Sequence, residues 1–121
     1  MNPATLLLVA LGGALGSVLR ALASVAVPAG RLPWATIAVN VVGSLVIGWL
    51  MARFAGQGEA DLRTQSFWIV GVCGGFTTFS AFSWQTLAQL QRGAWGLAAA
   101  NVLLSLVLCL GATWLGWRLA R

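Results

Sequence analysis

Apolar residues fill this chain in four long blocks, and polar residues gather in the gaps between them. The first block runs over about residues 5–27 and closes at "VPAGRLP", where Pro28, Gly30 and Pro33 mark a tight surface turn. The second covers 34–54. The polar stretch "AGQGEADLRTQS" follows, holds both acidic residues, and reads as the longest loop. The third block, 67–90, ends at "QRGAW", and the fourth covers 95–117. Each is about the length an α-helix needs to cross a bilayer. The pattern therefore predicts an all-α membrane protein with one domain, 1–121, of four transmembrane helices.

Composition sharpens this. The chain is 60% hydrophobic and 7% charged, with a mean hydropathy of +0.90, far from a soluble domain. Four spans use nearly all of its 121 residues, leaving no extramembrane domain. The first block has no basic segment ahead of it and outruns a signal peptide, so it is expected to be a retained helix. Trp34, Trp68, Trp95, Trp114 and Trp117 fall near predicted helix ends, as an interfacial aromatic belt requires. Cys73 and Cys109 lie inside apolar blocks and are expected to pack as thiols rather than form a disulfide.

The net charge of +5 comes from seven basic residues, all arginine, against Glu59 and Asp61. Such arginines suit lipid headgroups, not nucleic acid. With both termini on one side, that side carries Arg53, Arg63, Arg118 and Arg121, and the other carries Arg31, Arg92 and Arg20. So small a bias hardly selects one direction of insertion, which leads to the expectation of a dual-topology, antiparallel homodimer. Small residues at Gly12 and Gly16, and at Asn40, Gly43 and Ser44, suit close helix packing.

Within the four blocks there is no carboxylate, histidine or lysine. That excludes proton-coupled antiport through a titratable group in a span, and acid–base catalysis; the chain is not expected to be an enzyme. What remains are neutral donors: Asn40, Thr77, Thr78, Ser80, Ser83, Asn101 and Ser105. Neutral donors suit an anion that must shed water without being trapped. Phe79 and Phe82 share a helix face, either packing or turning positive ring edges toward such an anion.

The stretch "GGFTTFSAF", 74–82, combines all of this. Adjacent glycines and β-branched threonines hold a helix poorly, and unwound backbone at mid-membrane survives only when buried or lining a cavity. The third helix is therefore expected to break near Gly74–Thr77, either to serve an ion site with freed carbonyls or as a packing kink.

These residues resemble the Fluc, or CrcB, fluoride channels of bacteria, through "GGALGSVLR", "ATIAVNVVGSLVIG", "GVCGGFTTFSAFS" and, more weakly, "NVLLSLVL". The resemblance implies a dual-topology homodimer in the bacterial inner membrane with two pores that export fluoride passively. It implies a structural, untransported sodium ion held by the main-chain carbonyls of Gly74 and Thr77 from both copies. It implies an anion pathway through Asn40, Phe79, Phe82, Ser80 and Ser105, with Arg20 ending the first span and drawing anions to a vestibule. Ala81 and Cys109 stand where many relatives carry hydroxyls, which shortens the polar track. Two rival readings remain. A small four-helix multidrug or cation exporter needs a membrane-embedded glutamate that the first span lacks, and a non-transporting assembly subunit leaves the clustered donors unexplained.

Overall fold

A computed structural model describes residues 1–56 and 62–121. Both acidic residues lie outside the described residues, within 57–61 of the long polar stretch. Among the described residues every regular element is helical. Helix α1 spans Pro3–Ala26 and α2 Trp34–Phe54. Helix α3, residues 62–76, starts as an α-helical turn at Leu62–Gln65, winds as a π-helix over Ser66–Cys73 and tightens again over Gly74–Phe76. After a break, α4 spans Phe79–Gln91 and α5 Trp95–Leu119. Four helical stretches are long and apolar enough to cross a membrane: α1, α2, Leu62–Gln91 and α5.

Local chemistry explains the ends. The Asn2 side chain accepts from Thr5 N–H at 2.9 Å and Thr5 Oγ at 2.8 Å, while Pro3 opens α1, where no N–H is needed. Helix α4 ends at Arg92 and Gly93, the latter at φ 73°, a conformation glycine adopts without penalty. The third span begins at Leu62 rather than near Phe67: Leu62, Arg63 and Gln65 are good helix formers and extend the helix beyond the apolar block.

Two parallel pairs build the body, α1 with α3 and α2 with α5. Glycines bring the backbones together. A Cβ on Gly12 would meet the Phe67 carbonyl oxygen, one on Gly16 that of Val72, and one on Gly75 that of Gly13. Gly48 and Gly116 do the same between α2 and α5, against Thr113 and Leu45. Backbone contact of this kind is how helices associate where lipid removes the hydrophobic driving force. The small residues of α1 thus serve packing within the chain.

Candidate functional site at the helix break

The break lies at Thr77 and Thr78, both extended, with ψ 158° at Thr77 and φ −151° at Thr78. Gly74 is still helical, at φ −62° and ψ −39°. The glycines thus stay helical, and within the stretch expected to break, Gly74–Thr77, the chain unwinds at the threonine end. Gly75 is small because α1 presses on it, and the threonines break the helix because their backbone finds partners elsewhere.

Those partners can be followed one by one. Thr78 N–H, which would reach the Gly74 carbonyl in a continuous helix, donates instead to Asn40 Oδ1 at 2.7 Å. Asn40 Nδ2 donates back to the Thr78 carbonyl at 3.0 Å. Ala81 N–H, due at the Thr77 carbonyl, goes to Thr78 Oγ at 3.2 Å, making Thr78 the cap of α4. The Gly75 carbonyl accepts from Arg20 Nε at 3.1 Å. Asn40 and Arg20 thus replace two lost helical partners. The carbonyls of Gly74 and Thr77 receive no replacement among the described residues.

A cleft of about 450 Å³ opens at the break, lined by Asn40, Gly74, Thr77, Thr78, Phe79, Phe82 and Ser105 among others. Gly43 and Ser44, on the Asn40 face of α2, line it too. The Phe79 and Phe82 rings lie 5.3 Å apart at 44°. Phe79 is 75% exposed, a large apolar ring left uncovered by its own chain. The donors are uncharged. Asn40 keeps a second N–H with no acceptor among the described residues. Thr78 and Ser80 share one hydroxyl–hydroxyl bond at 3.2 Å, so one of the two O–H hydrogens is left over. Ser105 Oγ donates to Asn101 Oδ1 at 3.4 Å, a long and weak bond that the hydroxyl can exchange for a better acceptor. The positive end of α4 points at the same place.

Of the expected site residues, Asn40, Phe79, Phe82, Ser105, Gly74 and Thr77 share this cleft, and Ser80 adjoins it through Thr78. Arg20 does not. It lines a second cavity of about 280 Å³ with Ser17, Ser24, Thr36, Ala81 and Gln85, reached past Thr78. Nor does Arg20 end the first span, since α1 continues to Ala26. Its guanidinium turns instead to the Gly75 carbonyl on α3.

The CrcB-like protein, Camphor Resistance (CrcB) family matches residues 7–117. The chain belongs to the CrcB family. Proteins called fluoride-specific ion channel FluC are similar to it along most of their length. That of Opitutus terrae is 52% identical over 115 residues, covering 91% of this chain and 87% of its own. That of Paramagnetospirillum magneticum is 47% identical over 117 residues, covering 93% and 91%. That of Agrobacterium fabrum is 44% identical over 117 residues, covering 94% of each.

Two features of this CrcB chain escape the sequence pattern. One is the fully buried Asn101, whose Nδ2 donates to Thr86 Oγ at 2.9 Å. Its signal was available, because Thr86 and Asn101 lie equally far either side of the Gly93–Ala94 turn, where antiparallel helices bring side chains together. The other is the Gln85 and Gln89 pair one turn apart on α4, whose buried Oε1 atoms have no partner among the described residues. Ala81 and Cys109, which carry no hydroxyl, line the second cavity and the cleft respectively.

Proposed function

We propose that this chain is a fluoride-selective channel of the bacterial cell membrane that lets fluoride leave passively and so lowers its toxic internal concentration. The observation that carries the reading is the cluster of uncharged donors at the broken helix, in a CrcB chain whose relatives bear the name fluoride-specific ion channel. Fluoride is small and strongly hydrated. It gives up water only where N–H and O–H groups replace it, and leaves again only where no fixed charge holds it. The spare N–H of Asn40, the spare hydroxyl of Thr78 and Ser80, and the exchangeable hydroxyl of Ser105 meet both conditions, with the ring edges of Phe79 and Phe82 beside them.

The functional unit in this reading is an antiparallel homodimer in lipid, inserted with both orientations. Two things support it: the exposed Phe79 ring on the cleft, and the uneven but weak division of arginines between the two faces. A sodium ion belongs at the centre of that dimer. The carbonyls of Gly74 and Thr77 fit it, being freed by the break, unpaired among the described residues and directed by backbone rather than by mobile side chains. When bound, the ion supplies positive charge and cross-links the copies, and it is not carried across. The multidrug-exporter alternative needs an embedded carboxylate, and none of the four candidate spans contains one.

The test is fluoride efflux from liposomes carrying the purified protein in sodium-containing buffer. Efflux well above empty liposomes is expected, with chloride left behind. No efflux from correctly folded protein would overturn the proposal.

A further inference from the structure

A chain of polar side chains runs behind the wall of the cleft and joins its two sides. Ser105 Oγ donates to Asn101 Oδ1, Asn101 Nδ2 to Thr86 Oγ at 2.9 Å, and Thr86 Oγ to the Phe82 carbonyl at 2.8 Å. Its two ends, Ser105 on α5 and Phe82 on α4, both line the cleft, while Asn101 and Thr86 do not. Asn101 is 0% exposed. Helix α4 needs such a tie. It is cut from α3 by the break and it packs on α5. Apolar contacts with α5 would let it slide or rotate. A buried amide that loses a hydrogen bond when α4 turns holds it in one orientation.

We infer that Asn101 is a positioning residue, which acts through Thr86 to fix the rotation of α4 and thereby the placement of Phe82 opposite Ser105. Asn101 does not touch the anion. The inference rests on the anion pathway proposed above, and it assigns the pair a role in flux separate from holding the protein together.

The test compares Asn101→Leu, Thr86→Val, the double variant and Thr86→Ser in liposomes and in detergent. Each of the first two strands one polar partner in the interior, so both melt lower and pass fluoride at least tenfold more slowly. The double variant removes both partners, recovers most of the lost melting temperature, and still passes fluoride at least tenfold more slowly or admits more chloride. Thr86→Ser keeps the hydroxyl and behaves like the parent. A double variant that regains flux along with stability, or single variants with parental flux, would overturn the inference. Hydrogen exchange across α4 separates this from a failure of the pathway itself. If the parent protein moves no fluoride, faster exchange confined to α4 in the double variant still upholds the positioning role, and unchanged exchange there refutes it.

Discussion

Asn40 holds two posts at once, and two substitutions pull them apart. Its amide clasps the backbone of Thr78 from both sides, at 2.7 Å and 3.0 Å, and it offers its remaining N–H to the cleft. Asn40→Leu keeps the side-chain volume and removes all three. The N–H and carbonyl of Thr78, which is 8% exposed, are then left without partners. At about 1–3 kcal/mol for each orphaned group, the loss is about 2–6 kcal/mol, enough to unfold or loosen the break. Asn40→Asp removes less. Either protonation state still accepts from Thr78 N–H, and the neutral carboxyl can also donate to the Thr78 carbonyl, so stability falls by less than in the leucine variant.

Flux responds in the opposite order of subtlety. A neutral Asp that clasps Thr78 has no hydrogen left for the anion. An ionised one repels it by about 4 kcal/mol at 4 Å and an effective dielectric constant of 20, about a thousandfold in occupancy. Fluoride efflux through Asn40→Asp is therefore expected to drop at least tenfold in protein that still melts cooperatively. Efflux from liposomes and melting in detergent, measured on the same preparations, decide the matter. Undiminished efflux through Asn40→Asp removes the donor role, and parental melting of Asn40→Leu removes the clasp.

Three further outcomes are expected. Phe82→Ile keeps apolar bulk and deletes the ring edge, so stability falls by about 1–3 kcal/mol while efflux falls well beyond that; parental efflux makes the ring mere packing. Gly16→Ala places a methyl against the Val72 carbonyl oxygen and Phe76 N–H of α3, and is expected to cost about 1–3 kcal/mol by forcing α1 from α3, whereas Gly13→Ala meets nothing within 4 Å and is expected to melt like the parent. Replacing sodium on both sides by a large organic cation is expected to weaken the dimer or stop efflux, and parental efflux after thorough removal argues against a structural ion.

Four apolar blocks were enough to read the helices from the sequence, because in lipid every backbone polar group must be satisfied within its own segment. The Gly-Gly-Phe-Thr-Thr stretch likewise announced a break. Its register was not legible, because that depends on which backbone groups find outside partners, and Asn40 and Arg20 are remote in sequence from Thr78 and Gly75. The same reason hid the fate of the glycines. A glycine needed for an unwound backbone and one needed under a neighbouring helix look alike in a string, and only the approach of Gly13 to Gly75 tells them apart. Asn101 was visible as a neutral donor but not as a buried one, since its partner sits across a turn.

The placement of Arg20 shows how such a site stays neutral while lying close to a cation. Its Nε is spent on the Gly75 carbonyl, so the guanidinium faces the second cavity while the Asn40 amide faces the first. Thr78 stands between them, lining both. In the proposed pathway a unit charge in the cleft would bind an anion too tightly to let it go, and the same charge one cavity away would raise the local anion concentration at smaller cost to release. Arginine suits that position better than lysine. Its planar Nε can be fixed by one carbonyl while the rest of the fork stays with the cavity, whereas an ammonium that bonded to Gly75 would bring its whole charge to the break. The residue that completes the hydrogen bonding of the broken helix on one side thus also keeps its charge out of the cleft on the other.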